Sequence, residues 1–191
     1  VENDARAMAI GEAMFGAGRG YDNILCVNVG RGIGAGVIIN GEVYRGKQGG
    51  AGELGHMTID PNGPVCPCGN QGCLEAMAAG PAIAAAAIRA VSTGSSTLIR
   101  DLVDGKIEAI TAELVSEAAS KGDLLAQRLI IEAGRYLGIG IANAVNMLSP
   151  DVVIIGGGVS RAGDILFNEV RATVEERAFT AMVNLPPIVP S

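Results

Sequence analysis

The sequence predicts an α/β domain, and three observations carry that reading. Short apolar runs at 24–29, 35–39 and 151–155 have the length of strands and end at glycines or turn residues. Residues 123–148 repeat Leu125, Leu129, Ala133, Leu137, Ile141 and Val145 at helical spacing. Sheet-like segments come first and helices then alternate with strands, the order of an α/β domain.

Along the chain, Asn3 or Asp4 can cap a helix over 5–15 that ends at Gly16-Ala17-Gly18. The strand at 24–29 is followed by Gly30-Arg31-Gly32-Ile33-Gly34-Ala35-Gly36, a second strand to Ile39, the turn Asn40-Gly41 and residues 42–44, giving a hairpin or meander. Residues 46–75 form a long Gly- and Pro-rich excursion, and a loop of that length is usually functional. Gly80-Pro81 opens a helix to about Val91, with proline suited to the first turn. Residues 92–122 hold a polar loop and one or two helices, with Thr111 as a cap. In the helix over 123–148, Gly134, Gly138 and Gly140 sit where another element can approach closely. The strand at 151–155 then runs into Gly156-Gly157-Gly158 and a helix to about Ala178, and a last strand starts near Ile188.

A chain of 191 residues that is 49% hydrophobic can bury one core, with room for a small appendage. Aromatic residues make up 3% and tryptophan is absent, so the core must be aliphatic. A net charge of −6 argues against this segment gripping nucleic acid by itself, because phosphate binding needs a basic face. No apolar run reaches the roughly 18–20 residues of a membrane span, and the acidic start is unlike a signal peptide. No membrane partner and a cytoplasmic location are therefore expected, with reduced thiols. A start at Val1 without an initiator Met and an end at Ser191 just after a strand predict a fragment of a longer protein.

The only histidine, His56, and three of the four cysteines, Cys66, Cys68 and Cys73, fall within eighteen residues. Three thiolates and one imidazole complete a tetrahedral zinc set with no open position, so the metal is expected to be structural. The competing readings are neighbouring reduced thiols, or disulfides, which C-x-C spacing makes awkward locally. Cys26, inside an apolar run, reads as a buried inert thiol. Two carboxylates, Glu53 and Glu75, bracket the zinc set. The turn at 30–36 does not match a dinucleotide fingerprint, because strand follows it, although it can offer backbone N–H groups to a phosphate. At 156–158 the order is strand, glycines, helix, which lets a ligand approach a strand's carboxyl end beside a helix N-terminus. A plain hairpin and a plain strand–helix turn remain the alternatives at these two places.

These pieces resemble, in this order, the ROK family of bacterial sugar kinases and sugar-responsive repressors. The matching parts are Glu2-Asn3-Asp4-Ala5, Gly32–Gly36, Gly50–Met57, Cys66–Glu75 and Gly156-Gly157-Gly158-Val159. The resemblance implies the C-terminal lobe of an actin/hexokinase-like (ribonuclease H-like) ATPase fold with a zinc-bound loop over 46–75. Residues 1–20 would be the end of an N-terminal lobe and 21–191 the C-terminal α/β lobe.

It further implies that Asn3, Asp4, Glu53, His56 and Glu75 contact a small-molecule sugar, with zinc holding one nitrogen of His56 and leaving the other for a hydroxyl. In the kinases of the family the position of Asp4 is the general base. ATP and Mg²⁺ would then be cofactors, with Gly30, Arg31, Gly32, Gly156, Gly157 and Gly158 at the nucleotide. The kinases usually carry Gly-Thr-Gly where this chain has Gly30-Arg31-Gly32, and often Asn where it has Arg6. The expected function is therefore the sugar-binding effector domain of a ROK-type transcriptional regulator, touching DNA only through a segment absent from this chain, as a homodimer or tetramer. The alternative is an ATP-dependent, glucokinase-like sugar kinase.

Overall fold

A computed structural model of the chain describes residues 3–179 and 184–191. Glu2, the first residue of the matched Glu2–Ala5 stretch, lies outside the described residues. One five-stranded sheet, ordered β3-β2-β1-β4-β5, organises the molecule. Its strands are β1 (Ile24–Val29), β2 (Ile33–Ile39), β3 (Glu42–Val43), β4 (Val152–Gly156) and β5 (Ile188–Pro190). The first three form an antiparallel meander, and β4 and β5 add in parallel to β1.

The strands alternate faces in the period of two that a pleated sheet dictates. Ile24, Cys26 and Ile38 pack with Val152, Ile154 and Ala9 of α1 (Asp4–Phe15). Leu25, Val27 and Val29 face the larger core, which also takes in Leu137, Ile141 and Val170. The helices over this second face are α2 (Leu74–Ala78), α3 (Gly80–Ser92), α4 (Leu98–Leu102), α5 (Ala112–Ser120), α6 (Leu124–Leu148) and α7 (Asp164–Arg177). The expected periodic helix is α6, with Asp123 as its N-cap and Leu137 and Ile141 fully buried. Thr111 caps α5 as expected. No described helix is long and apolar enough to cross a membrane.

Two local expectations are corrected. Residues 74–75, read as the end of the 46–75 excursion, instead open the short helix α2 (Leu74–Ala78), too short to show a period. The helix after Gly156-Gly157-Gly158 does not begin at the glycines: a 3-10 turn over Gly158–Ala162 and a left-handed Gly163 (φ +67°) intervene before α7. The glycine turn therefore does not abut the N-terminus of α7, and the anion-binding argument from that helix lapses. The excursion over 46–75 is also more ordered than a bare loop, with 3-10 turns at Lys47–Gly49 and Leu54–His56.

Gly36 shows why small residues line β2. A Cβ there would meet Ala9 Cβ at 2.5 Å and the Ala5 carbonyl at 2.6 Å. Helix α1 lies so close to the sheet that a larger residue would push it away.

Candidate functional site

The first three residues of β2 are the hub on which the expected site segments meet. The Ile33 N–H donates to Glu75 Oε2 at 2.9 Å, from the first turn of α2. A Cβ on Gly55 would run into the Ile33 carbonyl, so the turn Leu54–His56 lies against the same residue. The Ala35 N–H donates to the Gly52 carbonyl at 2.8 Å, which fixes the backbone just before Glu53. Gly34 faces Ala5 of α1 and pairs with Asn28 of β1. The segments that carry Asp4, Glu53, His56 and Glu75 thus converge on three consecutive backbone positions.

Each side chain has its own local setting. Asn3 caps α1, its Oδ1 accepting from the N–H groups of Ala5 at 2.9 Å and Arg6 at 3.4 Å. Asp4 accepts from the Ala5 N–H at 2.8 Å through Oδ1 and from Asn28 Nδ2 at 3.3 Å through Oδ2. A carboxylate in a first turn is also favoured by the helix dipole. Arg6 Nη1 donates to the Gly49 carbonyl at 2.6 Å, tying α1 to the root of the 46–75 segment. Glu53 is exposed, and it borders an apolar recess lined by Tyr44, Leu54, Met57 and Met147. Glu75 is half-buried and committed through one oxygen to the glycine turn.

The four expected metal ligands are brought together. One donor atom from each of His56, Cys66, Cys68 and Cys73 lies within 4.8 Å of every other. A zinc–sulfur bond of about 2.3 Å in a tetrahedron requires sulfurs about 3.8 Å apart. Cys68 Sγ and Cys73 Sγ are 3.7 Å apart, and His56 Nδ1 is 3.8 Å from Cys66 Sγ. The donor set fits zinc in both chemistry and size, and it leaves His56 Nε2 for a second partner. All four cysteines are free thiols, so the disulfide reading does not hold.

Burial, and then hydrogen bonding to Cys68 and Cys66, pushes the Cys73 thiol up to about 12. The Asn70 backbone N–H leads the groups that lower Cys68. Without a cation Cys73 therefore resists ionising, and a metal would displace its proton. Cys26 is fully buried and raised to about 12, chiefly by burial, as befits an inert thiol.

Beyond the glycine turn lies a cleft of about 450 Å³, bordered by Gly30, Arg31, Pro81, Thr111, Glu113 and Gly158. Of the six residues expected at a nucleotide, Gly30, Arg31 and Gly158 line it. The other three are differently engaged: Gly32 against the Glu75 carboxylate, Gly156 against Met8 and Ser191, and Gly157 against Asn28 and the Val29 carbonyl. Asn28 was not among the expected site residues. Its signal in the sequence is a single amide in the otherwise apolar run Ile24–Val29.

Residues 1–190 match the ROK family. The chain is 39% identical over its whole length to a glucokinase of Thermotoga maritima, spanning 60% of that protein. It is 36% identical, again over its whole length, to the xylose repressor of Bacillus subtilis, spanning 46% of it. The fold superposes with a TM-score of 0.92 and 35% identity on a ROK family glucokinase of Streptomyces griseus in complex with glucose and AMPPNP, covering 100% of this chain and 62% of that one. The chain therefore spans about half to three-fifths of the relatives it matches, and these include both kinases and repressors.

Proposed function

The chain belongs to the ROK family, and from that premise we propose that it forms the sugar-binding, zinc-containing effector part of a transcriptional regulator. The convergence of the Asp4, Glu53, His56 and Glu75 segments on Ile33–Ala35 carries the sugar reading. A hexose or pentose is neutral and presents vicinal hydroxyls, which carboxylates, an amide and an imidazole N–H can engage in fixed directions. Zinc would hold His56 by Nδ1 through the Cys66, Cys68 and Cys73 set and do no chemistry itself. Asn3 would contribute beside its capping role. Residues 1–20 would close an N-terminal lobe, with 21–191 forming the C-terminal lobe, in a homodimer or tetramer. Sugar binding would shift the balance between lobe arrangements and so alter DNA affinity in a segment outside this chain.

Arg31 favours the sensor. It places an exposed, bulky cation on the wall of the cleft where a phosphate loop needs close backbone approach. Asp4 favours a second reading, a sugar kinase, because its carboxylate is retained and oriented by a donor. There it would take the proton from the attacking sugar hydroxyl, with ATP and Mg²⁺ held beside Gly30, Arg31 and Gly158.

The test uses the full-length protein. Titration calorimetry with D-glucose and D-xylose reads sugar binding, and ADP release at saturating ATP and Mg²⁺ reads catalysis. Sugar binding without sugar-dependent ADP supports the sensor, and sugar-dependent ADP release overturns it in favour of the kinase.

A further inference from the structure

We propose that Asn28 is the positioning residue of the sugar site, acting through Asp4. The inference rests on the sugar reading above and adds a residue to it. Asn28 is the half-buried residue in a strand whose other residues are buried. Its Nδ2 donates to Asp4 Oδ2 at 3.3 Å, while Asp4 Oδ1 is taken by its own helix. The two carboxylate oxygens of Asp4 are thus held from two directions, and only the Asn28 contact comes from the sheet.

The other end of the amide lies against a glycine. Gly157 has φ +91°, and a Cβ there would stand 2.5 Å from Asn28 Oδ1. Asn28 also pairs in register with Gly156 on β4 and with Gly34 on β2. The amide therefore lies between Asp4 and the Gly157 backbone, with its donor end towards the carboxylate. A strand is a more rigid support than a helix terminus, so the sheet sets the direction in which Asp4 offers its lone pairs.

Nothing in this arrangement requires that Asn28 touch the sugar. Its effect is on where Asp4 points, through the one contact that reaches the carboxylate from the sheet. The same role serves a sensor, where Asp4 accepts from a hydroxyl, and a kinase, where it accepts a proton.

The experiment measures the affinity of the full-length protein for D-glucose and D-xylose by calorimetry, with thermal unfolding as a check on each variant. Asn28→Ala removes the donor and is expected to weaken binding roughly tenfold. Asn28→Ser keeps a shorter donor and should fall between the native protein and Asn28→Ala. Asn28→Asp sets a second carboxylate against Asp4 and should be the worst of the three. Adding Asp4→Asn to Asn28→Asp re-forms an amide–carboxylate pair in reverse and should recover part of that loss. Equal losses for Asn28→Ala and Asn28→Asp, with a normal Asp4→Asn defect, would overturn the assignment while leaving the sugar reading intact. Absence of binding to either sugar by the native protein overturns both. If Asn28→Asp does not fold, the cycle between Asn28→Ala and Asp4→Asn decides: coupled losses support the assignment, and additive losses overturn it.

Discussion

The Glu75 carboxylate is hydrogen bonded to the Ile33 N–H at 2.9 Å, so the residue two places after Cys73 is also a strut of the glycine turn. Ile33 is only 4% exposed, and water cannot easily replace the carboxylate as its acceptor. Glu75→Ala is therefore expected to cost about 1–3 kcal/mol in urea unfolding, the penalty of a buried unpaired donor. Glu75→Gln keeps an acceptor and should cost clearly less. Equal stabilities for the two variants would show that the contact does not hold the turn.

The Cys3His cluster predicts one zinc per chain by elemental analysis of protein purified without chelator. Cys68 is the exposed member of the cluster, so Cys68→Ser removes a sulfur donor with little loss of packing. Zinc affinity should fall by at least tenfold, and amide exchange over 57–73 should rise as the clamp opens. Metal-free native protein with unchanged exchange would contradict the site.

Much of this arrangement was legible in the sequence, and the remainder has identifiable physical reasons. Helix α6 announced itself through a long apolar period, and Asp123 and Thr111 are cap residues of the usual type. The clustering of His56, Cys66, Cys68 and Cys73 was legible because residue type and spacing together suggest a metal-binding set. Helix α2 was not, since five residues make too little of a turn for periodicity. The 3-10 turn after Gly157 was also hidden, because Gly163 resets the backbone before α7 and looks like any other loop glycine. The Arg6–Gly49 bond joins residues 43 apart, and Asn28 meets Asp4 across 24. Partners at such distances depend on the assembled sheet and leave no local pattern.

Leu74 tests how firmly the Cys3His segment is anchored to the core. It is fully buried between Cys73 and Glu75, and a Cβ on Gly140 of α6 would stand 2.6 Å from its Cδ2. Leu74→Ala should destabilise by about 2–5 kcal/mol, as buried leucine truncations do. Because its two neighbours are a member of the Cys3His cluster and a strut of the glycine turn, the same variant should lose zinc to a competing chelator more readily. A purely global effect, with zinc retention unchanged, would separate the core from the site.

The last expectation concerns acid. Asp123 is 8% exposed, and its two oxygens accept from the Ala126 and Leu98 N–H groups at 2.7 Å each, joining the starts of α6 and α4. Burial alone would push this carboxyl up. The N–H groups of Ala126 and Leu98, helped by Thr97 and Leu125, outweigh burial and hold it below the ordinary 3.8. The unfolded chain therefore binds this proton more readily than the folded one. The stabilisation is complete above the ordinary aspartate value and is lost as pH falls through the lower, folded value. Asp123→Ala should cost about 1–2 kcal/mol at neutral pH, the usual worth of an N-cap. Asp123→Asn keeps one acceptor but no charge, so its deficit against the native protein should narrow between about pH 7 and about pH 3. Urea unfolding at the two pH values measures that deficit, and a constant one would mean that the capping carboxylate is not what titrates.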